Sequence, residues 1–393
     1  MKHWVPTGWS RVPQGRAPHG QTSSQPPSAL LALVLLLAAC GVAPPSAVAR
    51  ATPESFSPLV KRVLPSVVNI AVTETVSGKE LLAEVPPELR DTPLGREFRR
   101  KFGDKHTEST SAGSGFIIDS SGVIVTNRHV IEHASKIEVA LADGSELPAR
   151  VIGSDELTDV AVIQVATPHS LPAVAWGDSR VVEVGDWILA AGNPFGLGGS
   201  VTAGIVSAMG RDLGAGPFDN FLQLDAPINP GNSGGPTFNM DGAVVGMTTA
   251  IVSPSGGSVG IGFAIPSEII RPIVAELRAK GRVDRGWLGV ALRDTDSAPG
   301  DTPGGTQGRT SAATSGGATI AVVERDGPAL RAGLHVGDVV VAVNGEPIDG
   351  SRGLIRAVAA APPGASVRLR VRRQSRELEI PVTVGRRPDS LTE

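Results

Sequence analysis

From residue 113 onward, short apolar runs alternate with turn residues: Gly115–Ile118, Val123–Val125, Ile137–Leu141, Val160–Val165, Trp187–Ala190, Val201–Val206, Ala243–Thr248 and Val259–Ala264. The runs are rich in β-branched residues and separated by Gly, Asp and Asn, a pattern that predicts all-β barrels rather than helices. Their number suits two small barrels. Two stretches have helical spacing instead. In the first, Phe56, Leu59, Val60, Val63 and Leu64 repeat on one face until Pro65 stops the helix and an apolar strand begins. In the second, Pro266–Lys280 spaces Ile269, Ile270, Ile273, Val274 and Leu277, with Gly281 placed to end it. Two segments have little to bury: the charged, Pro-containing Ser77–Ser111, read as a long mobile loop, and the Ser/Thr/Gly-rich Arg293–Gly317, read as a disordered excursion.

At 393 residues the chain exceeds one ordinary core, and about 100–200 residues per domain suggests two folded units behind a leader. We read residues 1–49 as leader and linker, 50–281 as a first domain, 282–387 as a second and 388–393 as a tail. The 48 Gly, 32 Pro and absence of Tyr fit a turn-rich, β-dominated globular protein. A formal charge of −3 leaves no electrostatic footprint for nucleic acid. The Arg-rich stretch Val367–Arg376 does not change that, because Val367, Leu369 and Val371 alternate with Arg368, Arg370 and Arg372 as in a strand with one wet face.

Ala29–Ala39 is an apolar run short of the roughly 20 residues a spanning helix needs, and Lys2, Arg11 and Arg16 precede it. It reads as a signal-peptide core. The single cysteine, Cys40, closes that run in Leu37-Ala38-Ala39-Cys40-Gly41, which resembles the bacterial lipobox, where the thiol is lipidated and the leader removed. Ala47-Val48-Ala49 offers ordinary secretory cleavage instead, and an uncleaved anchor is a third option. Under each, the mature domains hold no cysteine, so burial rather than disulfides must stabilise them.

Hydrolysis by serine needs a nucleophile, a base, a group to orient the base, and donors for the developing oxyanion. Gly231-Asn232-Ser233-Gly234-Gly235-Pro236 sets a serine among glycines, which permit the backbone angles that let the Gly231 and Ser233 amides point at one oxygen. The segment also matches the nucleophile elbow of α/β-hydrolases, Gly-x-Ser-x-Gly, but there the acid and histidine follow the serine. Here the only later histidine is His335, in a surface turn of the second domain. Upstream, Thr126-Asn127-Arg128-His129-Val130-Ile131 places His129 at a strand-to-helix corner, and Thr158-Asp159-Val160 places an acid at the mouth of an apolar strand. Alone, each could be a structural or solvated residue.

Taken in order, His129, Asp159 and Ser233 resemble the chymotrypsin-like triad, and the surrounding segments are similar to the HtrA/Deg family of trypsin-like proteases. Those segments include Gly113-Ser114-Gly115-Phe116-Ile117-Ile118, Gly192-Asn193-Pro194-Phe195-Gly196 and Gln223-Leu224-Asp225-Ala226. The resemblance covers nearly all of residues 53–387. It implies an all-β-dominated fold, a chymotrypsin-like double β-barrel protease domain followed by a small α+β PDZ domain. It further implies Ser233 as nucleophile, His129 as general base then acid, Asp159 as orienting carboxylate, and Gly231, Asn232 and Ser233 as the oxyanion loop. Loops Asn193–Gly199, Arg211–Asp219 and Val252–Ser258 correspond to regulatory and pocket loops, while departures at Leu224, Pro227 and Thr237 leave fine substrate preference open.

In the second domain, Arg285-Gly286-Trp287-Leu288-Gly289-Val290 resembles the carboxylate-binding loop of bacterial PDZ domains, and helix Arg352–Ala361 should flank its groove. Gly286, Trp287, Leu288, Gly289 and Val290 are the expected peptide-binding residues. The expectation is an envelope or periplasmic serine endopeptidase that cleaves unfolded or mislocalised proteins and binds C-terminal peptides. It needs no cofactor or metal, assembles as a homotrimer or larger, and is open to a lipid anchor at Cys40. The rival readings are a peptide-binding chaperone or stress-sensing scaffold with a latent protease domain and, more distantly, an esterase that would need His335.

Overall fold

The computed structural model describes residues 54–77, 92, 106–193, 199–254, 256–294 and 317–388. The leader with Cys40, residues 194–198 and residues 295–316 lie outside the described residues, as does most of the 77–111 segment. The chain enters through α1 (Ser57–Val63), and a 3-10 turn containing Pro65 hands over to β1 (Val67–Ser77). Its partner β2 (His106–Asp119) pairs with β1 from Val67↔Phe116 out to Ser77↔His106. Residues 106–111, expected to be loop, are therefore strand. Main-chain N–H and C=O groups complete a ladder here without apolar side chains, so the Ser/Thr-rich extension left no hydrophobic signal.

With β3 (Val123–Asn127), α2 (Arg128–Ile131), β4 (Ala134–Ala140), β5 (Glu146–Asp155) and β6 (Val160–Val165), β1 and β2 close a barrel in the order β1-β2-β3-β6-β5-β4. The unbroken apolar runs of β3 and β6 have a physical cause: both faces of these strands are dry. Ile124, Ala161 and Ile163 fill the first barrel, while Val123, Val125, Val160 and Val162 face a seam shared with the second barrel and a helix.

The second barrel is built from β8 (Trp187–Gly192), β9 (Ser200–Arg211), β10 (Phe221–Leu224), β11 (Pro236–Phe238), β12 (Ala243–Ile251) and β13 (Gly262–Pro266). The order β11-β8-β9-β10-β13-β12 closes through β11–β12, and β7 (Ala175–Trp176) adds in parallel to the outside of β12. Helix α3 (Ser267–Lys280) buries Ile270, Ile273, Val274 and Leu277 in the inter-barrel seam. Gly281, at φ 74°, ends it by donating its N–H to the Leu277 carbonyl at 2.8 Å.

After α3 come β14 (Gly286–Trp287), β15 (Val290–Asp294), β16 (Ala318–Val323), α4 (Pro328–Arg331), β17 (Val339–Val343), β18 (Glu346–Pro347), α5 (Ser351–Ala359), β19 (Ser366–Arg373), β20 (Arg376–Thr383) and β21 (Gly385–Arg386). The sheet runs β15-β16-β17-β19-β20, so β15 keeps one free edge. In β19, Val367, Leu369 and Val371 are buried and the intervening arginines exposed, the one-wet-face strand expected above. Leu354 and Val358 of α5 complete this core.

The described residues from Ser55 onward form one compact unit. Arg285, between α3 and β14, is the main polar tie within it. Its guanidinium pairs with Asp155 at 2.6 and 3.3 Å, both side chains being 8 % exposed, and it lies 4.4 Å from the centre of the Phe218 ring. Asp155 also accepts the Thr158 N–H and hydroxyl. A second tie joins Arg352 of α5 to Asp212, in the loop after β9. Removing one member of a buried pair leaves the other's charge uncompensated away from solvent, so Arg285→Ala should destabilise the chain by about 3–5 kcal/mol, with Arg285→Met/Asp155→Leu costing less. Urea unfolding of the two variants checks this; equal stability of parent and Arg285→Ala would refute it.

Asp338, before β17, is 1 % exposed. Burial alone would push its carboxyl up, but two bonds from Arg373 (2.7 and 2.8 Å) and one from the His335 N–H (2.9 Å) hold it below the usual aspartate value. A depressed carboxylate contributes stability that is complete above its unfolded pKa of about 3.9 and is lost as pH falls through the lower folded value. Thermal unfolding of the 286–384 region should therefore lose stability below pH about 4, and Asp338→Asn should remove part of that acid dependence. An unchanged acid limb in the variant would contradict the assignment.

Candidate active site

The register of β3 with β6 sets two of the expected residues side by side. Asn127 pairs with Val160, so the chain just beyond β3 and the chain just before β6 leave the barrel at the same end. There His129 Nδ1 lies 2.8 Å from Asp159 Oδ2, and the His129 main-chain N–H donates to Asp159 Oδ1 at 3.0 Å. Asp159 reaches this position with φ 54°, a left-handed angle uncommon outside glycine. The angle is held by the Asn127 side-chain amide and the Arg128 N–H, both donating to the Asp159 carbonyl, at 3.0 and 3.1 Å. The pair is not sealed: the side chains of His129 and Asp159 are 45 % and 31 % exposed.

Ser233 sits on the loop before β11. Its hydroxyl makes its hydrogen bond to the Thr249 carbonyl at 3.4 Å, not to His129. Thr249 itself, on β12, donates its hydroxyl to Asp159 Oδ2 at 2.8 Å. One residue thus touches both the acid and the serine. Sequence reasoning missed Thr249; nothing local marks a threonine 90 residues from its partner aspartate.

The backbone around Ser233 separates used from unused donors. Among residues 231–235, Asn232 N–H donates to the Asn229 carbonyl, Gly234 N–H to Thr248 and Gly235 N–H to Asn232, at 2.8–3.0 Å. Among the described residues, the Gly231 and Ser233 amides have no protein acceptor. Gly231 and Gly234 take φ 93° and 85°, and a Cβ on Gly234 would fall 2.2 Å from the Ser114 carbonyl, so the glycines are a steric requirement of this loop.

A cavity of about 360 Å³ opens beside His129, walled by Leu213, Phe218, Phe221 and Ile269, with Glu156 and Asp219 at its rim. Burial and the neighbouring Asp212 push the Asp219 carboxyl up, against the Leu213 and Ala215 amides that bind it.

In the second domain, Leu288 is a core residue, Gly289 takes φ 74°, and their carbonyls accept from Ala329 and Glu324. The Leu288 and Gly289 amides have no protein acceptor among the described residues. Gly286 and Trp287 are paired with β21, and Val290 opens β15, which has one strand partner among the described residues and packs, with β14, against α5. His335, required by an esterase reading, occupies the turn before β17, with its N–H on Asp338.

Two closed barrels with a His–Asp pair at one end and a glycine-framed serine define a trypsin-like peptidase, here joined to a PDZ sheet. Comparison with known proteins agrees. Residues 113–247 match the trypsin-like peptidase domain and residues 286–384 the PDZ domain. The chain is 42 % identical over 363 residues to a probable periplasmic serine endoprotease DegP-like from Brucella suis biovar 1 (strain 1330), covering 85 % of this chain and 69 % of that protein. It is 41 % identical over 354 residues to the protein of the same description from Pseudomonas putida (strain W619), covering 88 % and 72 %. Among solved structures, the HtrA-type protease AlgW with a decapeptide superposes with a TM-score of 0.68 at 37 % identity, covering 86 % of this chain and all of that one. The serine endoprotease from Yersinia pestis gives a TM-score of 0.63 at 31 % identity, with 86 % and 100 % covered. The chain belongs to the HtrA/Deg family of trypsin-like serine proteases with one PDZ domain, and is a serine-type endopeptidase.

Proposed function

We propose that Ser233, His129 and Asp159 form the catalytic triad of a periplasmic endopeptidase acting on unfolded or mislocalised proteins, with the 286–290 loop capturing C-terminal peptides. The observation that carries this is the continuous contact from His129 to Asp159 to Thr249 to Ser233. In the reaction, Ser233 Oγ attacks the peptide carbonyl as His129 takes its proton. Asp159 holds the imidazole orientation and offsets its charge. The Gly231 and Ser233 amides, held by a loop that includes Asn232, receive the oxyanion. The imidazolium then protonates the leaving amine, and water attacking the acyl-enzyme by the reverse route restores Ser233.

The free amides of Leu288 and Gly289 beside the open edge of β15 support capture of a terminal carboxylate with the peptide added as a strand. The Ser233 hydroxyl turned to Thr249 favours a resting state that such a peptide activates, which keeps the latent-scaffold reading in view. For a homotrimer or larger assembly, the exposed Val181, Val184 and Trp187 offer apolar surface that a second copy would cover. The periplasm is supported by the descriptions of the relatives.

Incubation with unfolded casein tests the reading. The parent should cleave it, faster with a peptide bearing a free C-terminal carboxylate than with its amide, and Ser233→Ala should abolish cleavage. Equal cleavage by parent and variant, or none by either with peptide present, would overturn the triad in favour of the scaffold. Lipidation at Cys40 is read from labelled palmitate, which the parent should incorporate and Cys40→Ser should not; an unlabelled parent would remove the lipid anchor and leave soluble secretion or an uncleaved leader.

A further inference from the structure

Ser114 is a fully buried polar residue in the middle of β2, within the Gly113-Ser114-Gly115-Phe116 segment that no step above uses. All of its polar groups are engaged, and most reach the same place. Its N–H donates to the Ser233 carbonyl at 2.8 Å. Its hydroxyl donates to the Gly231 carbonyl at 2.7 Å and accepts the Asn193 N–H at 2.8 Å. Its carbonyl accepts the Thr126 hydroxyl at 2.8 Å. The fold makes room for that hydroxyl: a Cβ on Gly192 would stand 3.0 Å from it.

The two carbonyls Ser114 holds belong to the two residues whose amides are free. The Gly231 carbonyl lies in the Gly231–Asn232 peptide, which stands between the Pro230–Gly231 and Asn232–Ser233 peptides that carry the two free amides. With that middle unit held, a turn of either neighbour must be absorbed in a single backbone angle on each side, and a turned neighbour would present oxygen rather than N–H to the substrate. Gly231 is the position most open to such a turn, since glycine at φ 93° meets no Cβ penalty in either orientation. The Gly231–Asn232 peptide receives a hydrogen bond on its carbonyl from Ser114 and gives one from its N–H to Asn229.

We propose that Ser114 is a positioning residue for oxyanion stabilisation: its hydroxyl locks the Gly231–Asn232 peptide, the unit between the two that carry the Gly231 and Ser233 amides, and so holds both flanking N–H groups toward the carbonyl under attack. This rests on the triad reading above. Ser114 touches neither substrate nor reacting atoms, so its removal affects the transition state more than substrate binding.

The test uses the full chain and compares parent, Ser114→Ala, the hydroxyl-keeping Ser114→Thr and Ser233→Ala on a chromogenic peptide. Each is also titrated with a peptide aldehyde, whose adduct places an oxyanion in the site, and with the matching peptide alcohol, which forms none. Ser114→Ala should lower kcat about 10- to 100-fold, somewhat less than direct loss of an oxyanion donor, with KM changed less than about twofold. Aldehyde affinity should fall in parallel with kcat while alcohol affinity holds, and Ser114→Thr should recover part of both. Unimpaired kcat and aldehyde affinity in Ser114→Ala would overturn the proposal. So would equal losses for aldehyde and alcohol together with a lowered melting temperature, which would mark Ser114 as support for the fold only. If Ser233→Ala keeps its activity, the triad reading itself fails; if it is inactive while Ser114→Ala is unimpaired, this inference alone fails.

Discussion

Because Asn127 is paired with Val160, the chain segments carrying His129 and Asp159 leave two adjacent strands at one end, and those strands are buried on both faces. A one-residue slip would turn the seam-facing valines into the barrel and the barrel-facing isoleucines into the seam. The register is therefore fixed by burial along both faces of β3 and β6, and the imidazole–carboxylate contact inherits that precision. Thr249 and Ser233 arrive from the other barrel, so the chemistry depends on the seam that packs Val125, Val160 and Val162 against Leu189, Phe238 and Met247.

Strain and buried polarity cluster where the barrels meet. Asp159 holds a left-handed backbone angle, Gly231 and Gly234 do the same across the cleft, and Ser114, Thr126 and Asn127 are polar side chains with almost no exposure. Such groups are tolerated because each is tied to main chain, and a network this closely bonded resists rearrangement. The contrast with the Ser233 hydroxyl is informative: the supporting bonds measure 2.7–3.1 Å, while its own bond to Thr249 is the long one at 3.4 Å. The surrounding scaffold is closely bonded and the Ser233 hydroxyl is its loosely held member. The Arg285 pair carries the same linkage toward the PDZ sheet, since Asp155 bonds Thr158, the neighbour of Asp159, and Arg285 adjoins Gly286.

Much is legible in the amino-acid sequence. Dry strands advertise themselves, so Val160–Val165 was readable residue for residue and α3 with its Gly281 stop nearly so. β5 was not, because Glu146–Asp155 alternates half-exposed and exposed residues over most of its length and lacks a sustained apolar run. The outer half of β2 escaped for the related reason that its exposed Ser and Thr are held by the backbone ladder and need no apolar side chains. In the site, His129, Asp159 and Ser233 are singled out by the order of their segments, and the fold brings His129 and Asp159 into contact. Thr249, Ser114 and Arg285 are not singled out, since their partners lie 90, 117 and 130 residues away.

The sequence by itself determined which apolar runs are buried, where the glycines permit turns and which side chains are candidates for the chemistry, because hydrophobic period, backbone freedom and functional groups are properties of the local chain. Tertiary structure alone decided which amides of the serine loop stay free, which way the serine hydroxyl turns and what holds the strained aspartate. Those are outcomes of hydrogen bonds between distant strands, formed only once two barrels have packed against each other.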